Sequence, residues 1–114
     1  MNTVNTKQIG NRGEDKAVRY LKLRGYRILE RNFRSRFGEI DIICEKQKTL
    51  VFVEVKSRKN ALFGGGASAV NAAKQKRLIK TAQTYLMGNE TDREMRFDVI
   101  DITGDAVSHI KNAF

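Results

Sequence analysis

The sequence has a single cysteine, Cys44, and a single histidine, His109. A four-ligand zinc site made of cysteine and histidine therefore cannot form within one chain. A disulfide framework is excluded too, which favours a reducing compartment. The sequence also lacks proline, an N-terminal apolar signal segment and any run of about 20 apolar residues that could span a membrane. These absences predict a cytoplasmic protein that does not insert into a membrane.

Charge is the most unbalanced feature of the composition. Lysine and arginine number 22 against 13 acidic residues, which gives a net charge of +9 at neutral pH. An excess of this size favours a polyanionic partner, of which nucleic acid is the commonest and an anionic membrane surface the rival. A basic protein without such a partner is the third interpretation. The length of 114 residues predicts a single domain, residues 1–114, with one hydrophobic core.

Apolar periodicity and turn residues predict the order helix, three strands, helix, two strands. The first helix should begin near Thr6, a typical N-cap, and end before Gly25. The second should run from about residue 67 to residue 87. Strands are predicted over residues 26–30, 39–45, 50–56, 95–102 and 107–111, the second and third forming an antiparallel hairpin. This order predicts a small α/β domain with a mixed central β-sheet flanked by helices.

Charged residues interrupt the apolar faces of the predicted hairpin. Side chains alternate between the faces of a strand, so Glu54 and Lys56 continue the face that begins with Leu50 and Phe52, which should lie under a helix. On the neighbouring strand, Asp41 shares its face with an isoleucine. A carboxylate among apolar residues is costly unless a cation compensates it, and Mg²⁺ prefers such oxygen ligands. The pattern favours a metal site at Asp41 and Glu54, with Lys56 close to a reacting phosphate.

An exposed sheet edge is the alternative for this cluster. Glu54 and Lys56 would then lie in solvent and pair with Asp41 as a surface salt bridge. Glu14 shares a helical face with apolar residues such as Val18, so it is expected either to point inward to the metal or to reach outward from the boundary.

Basic residues accompany the proposed site. Lys74 lies on the apolar face of the second long helix, where it either reaches a bound phosphate or covers apolar surface with its stem. Four cations near strand ends would suit phosphate contacts along DNA, with an ordinary solvated charge as the alternative: Arg34, Arg36, Arg58 and Lys59. The three glycines at residues 64–66 lack the lysine of a phosphate-binding loop and are interpreted as a linker or mobile flap.

Longer motifs resemble the YraN-like family of bacterial proteins, which are described as predicted endonucleases. The resemblance extends from about Gly10 to Ile102, and its most specific parts are the G-E-I-D pattern ending at Asp41 and the F-V-E-V-K pattern ending at Lys56. Further matches are Gly13-Glu14, Ala17, Tyr20-Leu21, Gly25-Tyr26, Arg31-Asn32-Phe33-Arg34, Arg58, Phe63-Gly64, Val70, Lys74 and Arg96-Phe97-Asp98-Val99.

The YraN-like family in turn resembles the restriction-endonuclease-like, or PD-(D/E)XK, superfamily, which includes archaeal Holliday-junction resolvases. The resemblance implies that fold, with Asp41, Glu54 and Lys56 as catalytic residues and Glu14 at the helical acidic position of the resolvase-like branch. It also implies Mg²⁺ or Mn²⁺ bound by Asp41, Glu54 and Glu14. Ile40 stands where the name-giving proline would be, a departure that is common in the superfamily.

The residues and the resemblance together predict a metal-dependent DNA endonuclease that acts on branched or recombination intermediates. The alternative is a module of the same fold that binds nucleic acid without cutting it. A homodimer is expected by analogy with resolvases, which cut two strands as symmetric dimers. A membrane-surface role is not favoured, because the sequence has no basic amphipathic helix with a large apolar face.

Overall fold

A computed structural model describes residues 6–58 and 70–114 of the chain. Within these residues, two helices and five strands follow one another in the predicted order. The elements are α1 (Thr6–Leu23), β1 (Arg27–Ser35), β2 (Gly38–Lys46), β3 (Thr49–Arg58), α2 (Ala72–Gly88), β4 (Glu94–Thr103) and β5 (Ala106–Ile110). Neither described helix combines the length and the apolarity needed to cross a membrane.

The strands of this part of the chain form one mixed sheet in the order β1-β2-β3-β4-β5. β1, β2 and β3 pair antiparallel, so the predicted hairpin is confirmed. β3 and β4 are parallel neighbours, and α2 lies in the crossover that a parallel pair requires. β5 returns antiparallel along β4. The α/β prediction is therefore confirmed, and the mixed sheet with its two helices is compatible with a restriction-endonuclease-like fold.

Buried apolar residues fill the space between the sheet and each helix. The core on the α1 side includes Ala17, Leu21, Ile42, Val53 and Ile100. The core on the α2 side includes Phe52, Leu78, Ala82, Tyr85 and Val99. Because neighbouring residues of β3 face opposite sides, the face that runs from Phe52 to Glu54 and Lys56 lies under α2, as the sequence predicts.

Strand β2 departs from strict alternation beside the proposed site. Alternation predicts Ile40 on the same face as Ile42, but Ile40 packs in the α2-side core and Ile42 in the α1-side core. The regular β2–β3 pairing ends at Ile42 and Val53. Beyond that pair, the side chain of Asp41 accepts the backbone N–H of Val55. Strict alternation is therefore the wrong prediction for Ile40, which lies beyond the end of the regular pairing with β3.

Two predicted boundaries also differ from the structure. β1 continues to Ser35 instead of ending at residue 30, because an edge strand with one neighbour tolerates the polar residues that follow. α2 begins at Ala72, after Asn71, whose side chain caps the helix by accepting the N–H of Lys74 at 2.9 Å. The predicted start near residue 67, the glycines at residues 64–66 and Lys59 lie outside the described residues.

A buried polar cluster ties β4 to β5 on the α1 side of the sheet. The carboxylate of Asp98, 1% exposed, accepts hydrogen bonds from Arg96 at 2.8 and 2.9 Å and from the backbone N–H of Asn112 at 3.0 Å. Nε2 of His109 lies 2.7 Å from the same carboxylate. Although burial raises the pKa of Asp98, the hydrogen bonds from His109, Arg96 and Asn112 outweigh burial and lower it. The carboxylate of Asp98 is therefore ionised in the folded protein, and Arg96, Asn112 and His109 all contact it.

Candidate active site

Asp41 and Glu54 line one cavity between the hairpin and α2. The cavity has a volume of about 250 Å³ and is lined by Gly38, Glu39, Asp41, Glu54, Lys74, Arg77 and Leu78. Glu54 is buried, with 8% of its surface exposed, and Asp41 is half-buried. The structure thus brings together the two carboxylates that the sequence places on neighbouring strands, and the burial of Glu54 excludes the exposed-edge alternative.

The environment of Asp41 disfavours its negative charge. Burial, and after it the charge of Glu54, raises the pKa of Asp41 to about 7. The 2.8 Å hydrogen bond from the N–H of Val55 lowers the pKa of Asp41 but does not cancel this rise. The charges of Glu14 and Glu39 raise the pKa further. Close carboxylates that resist ionisation together are typical of sites that receive a cation.

Two lysines surround the carboxylate of Glu54. Nζ of Lys74 lies 2.6 Å from Glu54 Oε1, and Nζ of Lys56 lies 3.8 Å from the same oxygen. Burial, followed by the hydrogen bond and charge of Lys74, lowers the pKa of Lys56. Burial acts on Lys74 in the same direction, but its hydrogen bonds with Glu54 and Lys56 outweigh burial and raise its pKa. Lys74 therefore reaches the site, and Lys56 is the lysine whose proton is held less tightly.

Glu14 points inward but stands apart from the other two acids. It is 9% exposed, and its Oε1 has no hydrogen-bond partner among the described residues. Nη2 of Arg31 is 3.9 Å from that oxygen. Burial raises the pKa of Glu14, and the positive charge of Arg31 offsets only part of this effect. The inward orientation of Glu14, one of the two expected from the sequence, is the one observed.

The close approach of α1 to β3 sets the depth of Glu14. A Cβ atom at Gly13 would lie 2.7 Å from Cβ of Ser57, so only glycine allows the helix to lie this near the strand. Even so, no three acidic, histidine or cysteine side chains of the described residues are close enough to share one metal ion. Asp41 and Glu54 line the cavity together, and Glu14 acts on Asp41 through its charge.

The donor set of the site fits a hard divalent cation. Asp41 and Glu54 offer carboxylate oxygens, which Mg²⁺ and Mn²⁺ prefer. The softer ligands lie elsewhere: His109 is bonded to Asp98, and Cys44 is fully buried. Burial raises the pKa of the Cys44 thiol to about 12, so this thiol is not a nucleophile at neutral pH.

Two of the predicted DNA-contacting arginines lie beside the cavity. Arg34, at the end of β1, is exposed and places Nε 3.7 Å from the carboxylate of Glu39, which lines the cavity. Arg36 lies in the β1–β2 turn, with its guanidinium carbon 4.8 Å from the ring centroid of Phe37. Both positions suit contacts with phosphates on either side of the cavity.

The other predicted cations have different surroundings. Arg58 donates to the carboxylate of Asp101 at 2.8 Å and is half-buried, so an internal partner engages it. Lys59 lies outside the described residues. Arg77, which the sequence did not single out, lines the cavity one helical turn after Lys74. The i, i+3 spacing from Lys74 was the signal that would have found it.

The pH dependence of stability should report the raised pKa of Asp41. The pKa of Asp41 in the folded protein, about 7, is higher than its ordinary value of 3.8. Its contribution to stability is therefore fully present below about pH 4 and is lost as the pH rises through 7. In EDTA, Asp41→Asn should match the wild type near pH 4 and be more stable at pH 8 by roughly 1–3 kcal/mol.

Urea unfolding at several pH values measures this difference. Asp105→Asn is the matched control, because it removes the same charge from a fully exposed carboxylate. That variant should follow the wild-type pH profile. If the stability of Asp41→Asn also has the same pH profile as that of the wild type, the environment of Asp41 does not disfavour its charge.

The comparisons with known proteins agree on one family. The model of UPF0102, an uncharacterised protein family, matches residues 13–102. A UPF0102 protein of Persephonella marina is 52% identical over 106 residues, covering 92% of this chain and 91% of that protein. A UPF0102 protein of Dechloromonas aromatica is 47% identical over 105 residues, covering 92% of this chain and 87% of that protein. A UPF0102 protein of Fusobacterium nucleatum is 46% identical over 110 residues, covering 96% of this chain and 92% of that protein.

The chain belongs to the UPF0102 family, which confirms the resemblance to YraN-like proteins. The matched span begins at Gly13 and ends in β4. It therefore includes Glu14, Asp41, Glu54, Lys56 and Lys74, the residues that form and surround the cavity.

Proposed function

We propose that this protein is a metal-dependent DNA endonuclease, which hydrolyses phosphodiester bonds at the cavity lined by Asp41 and Glu54. One observation carries the proposal: Asp41 and Glu54, on neighbouring strands, line one cavity, and Lys56 lies beside Glu54 on the same face of β3. Burial and the charge of Glu54 raise the pKa of Asp41 to about 7. The fold supports it, since the mixed sheet is compatible with the restriction-endonuclease-like class.

The proposed ligands of Mg²⁺ or Mn²⁺ are Asp41 and Glu54, and Glu14 adds negative charge to their surroundings. A divalent cation held there supplies Lewis-acid stabilisation of the scissile phosphate. Lys56 places its ammonium on the side of Glu54 where negative charge develops on the phosphate, and its lowered pKa suits it to orient the attacking water. Lys74 neutralises Glu54 in the metal-free protein and is available to a phosphate once another cation does so.

DNA is the proposed partner because the cavity has a basic rim. Lys74 and Arg77 line it, Arg34 contacts the lining residue Glu39, and Arg36 lies in the adjoining β1–β2 turn. With its net charge of +9, the protein should release counterions from the phosphate backbone when it binds DNA. Its affinity for DNA should therefore fall steeply as the salt concentration rises. A DNA substrate places the proposed activity in the cytoplasm. A homodimer is proposed by analogy with resolvases alone.

A nucleic-acid-binding module without catalysis is the second candidate. The observation in its favour is the 2.6 Å ion pair between Lys74 and Glu54, which compensates that carboxylate without any metal. Such a protein would keep the basic rim and bind DNA equally well with or without divalent cations.

A panel of labelled substrates separates the two candidates. Duplex, flap, four-way junction and single strand are each incubated with purified protein in Mg²⁺, Mn²⁺ or EDTA. The endonuclease should cut at least one substrate with metal and none in EDTA, and Glu54→Gln should bind DNA without cutting it. Binding of DNA with no cleavage under any condition would replace the proposed enzyme with the module.

A further inference from the structure

Phe37 occupies an unusual position at the tip of the β1–β2 turn. Its ring is partly buried, yet it belongs to neither core cluster of the described residues. Two cations flank it: the guanidinium carbon of Arg36 lies 4.8 Å and Nζ of Lys80 lies 5.4 Å from the ring centroid. An aromatic ring with cations beside it is an arrangement with which proteins stack nucleic-acid bases and hold the adjoining phosphates.

The turn is fixed to α2 and does not depend on the core for its position. The backbone N–H of Phe37 donates to Oγ of Ser35 at 3.0 Å. Ser35 Oγ in turn lies 3.2 Å from Oγ1 of Thr81, which is fully buried on α2 and donates to the carbonyl of Arg77 at 2.8 Å. These bonds fix the backbone of the turn at Phe37 before any ligand binds, which reduces the entropy cost of stacking.

The ring lies next to the cavity of the proposed active site. Gly38, the residue after Phe37, lines that cavity together with Arg77. A Cβ atom at Gly38 would be 3.8 Å from Cβ of Arg77, so the turn lies directly against α2. Lys80 follows Arg77 by about one helical turn, or ~5 Å. A strand whose phosphate occupies the cavity therefore has its adjacent nucleotide within reach of Phe37.

We infer that Phe37 is a base-stacking residue that receives an unpaired base next to the scissile phosphate. The inference rests on the proposed function and names its substrate class: DNA with a single-stranded flap or branch at the cleavage site. A base inside a continuous duplex has both faces covered by its neighbours, so it cannot stack on Phe37 without leaving the helix. Arg36 and Lys80 would contact the phosphates on either side of the stacked base.

Binding in EDTA tests this inference without requiring cleavage. Affinities for a labelled duplex and for the same duplex with a single-stranded flap are measured for the wild type, Phe37→Leu and Phe37→Tyr. The wild type should prefer the flap, and Phe37→Leu should bind it about tenfold more weakly while binding duplex as before. Phe37→Tyr retains an aromatic face and should keep the preference. Phe114→Leu is the matched control, since Phe114 stacks on Phe97 with ring centroids 4.9 Å apart.

A second measurement uses only the wild-type protein. With 5-iodouracil at the unpaired position, irradiation should crosslink the DNA to Phe37, as mapped by mass spectrometry, and crosslinking should disappear when that position is paired. This readout remains valid even if Phe37→Leu does not fold.

Three results would overturn the inference in distinguishable ways. If the wild type binds flap and Phe37→Leu binds it equally well, or if the crosslink maps elsewhere, Phe37 does not stack a base although the proposed function stands. If the wild type binds neither DNA, the proposed function fails with it. If Phe37→Leu instead loses binding to phosphatidylserine vesicles and not to flap DNA, the surface is a membrane contact.

Discussion

Replacing Lys56 with alanine is expected to slow metal-dependent DNA cleavage about 10²–10³-fold. Lys56 and Glu54 leave the same face of β3, with Nζ of Lys56 3.8 Å from Glu54 Oε1. In the proposed mechanism the ammonium stabilises the negative charge that the scissile phosphate gains, and Lys56 is not one of the proposed metal ligands. Mn²⁺ affinity and DNA affinity should consequently stay close to those of the wild type. Single-turnover cleavage with saturating enzyme measures the chemical step apart from binding.

The control for this variant is Lys48→Ala. Lys48 is an exposed lysine in the β2–β3 turn, so its loss removes the same charge far from the cavity residues. Lys48→Ala should cut DNA at the wild-type rate. If Lys56→Ala also cuts as fast as the wild type, the observed nuclease either uses another site or is a contaminant.

The second large effect is on stability. Asp98→Ala should lower the free energy of unfolding by about 3–5 kcal/mol, because it leaves buried partners without their shared acceptor. Arg96 would lose two hydrogen bonds, and Nε2 of His109, whose side chain is 3% exposed, would lose the carboxylate that lies 2.7 Å from it. Urea denaturation at pH 7 measures the change, since the lowered pKa of Asp98 keeps it ionised there.

An exposed ion pair of the same chemistry provides the control. Asp15 and Arg31 form a 2.7 Å contact on the surface, and the Asp15 side chain is 57% exposed. Asp15→Ala should therefore cost at most about 1 kcal/mol. A similar small loss for Asp98→Ala would mean that the β4–β5 cluster contributes little to holding the sheet together.

The sequence predicted the placement of the carboxylates because local rules decide it. Alternation along β3 places Glu54 and Lys56 on one face, and the short polar turn pairs β3 with the strand that carries Asp41. The helical wheel of α1 predicted an inward Glu14 as one alternative. Each of these inferences needs only the period of one element and the identity of its neighbour.

The side-chain partners could not be predicted, because no local period encodes them. Lys74 approaches Glu54 only after the crossover has brought α2 onto the sheet. Arg58 meets Asp101 across 43 residues through the parallel pairing of β3 with β4. The sequence had offered Arg58 as a phosphate contact, since it showed a cation at a strand end and gave no sign of the acid beside it.

Strand β2 shows a different limit. Ile40 and Ile42 belong to opposite cores, and the regular β2–β3 pairing ends between them. There the backbone N–H of Val55 donates to the side chain of Asp41. An ideal strand has no such irregularity, and functional sites are where departures from ideal geometry concentrate. Asp41, which lines the cavity, is the residue next to the one that breaks the pattern.

The central claim is that Asp41 and Glu54 together hold one divalent cation, and calorimetric titration with Mn²⁺ tests it most directly. Wild-type protein should bind one Mn²⁺, because the cation compensates the burial and the repulsion from Glu54 that together raise the pKa of Asp41 to about 7. Asp41→Asn removes one anionic ligand and should bind Mn²⁺ at least about tenfold more weakly, whereas Asp105→Asn should bind it like the wild type. Equal Mn²⁺ affinity in wild type and Asp41→Asn would contradict the assignment of the site.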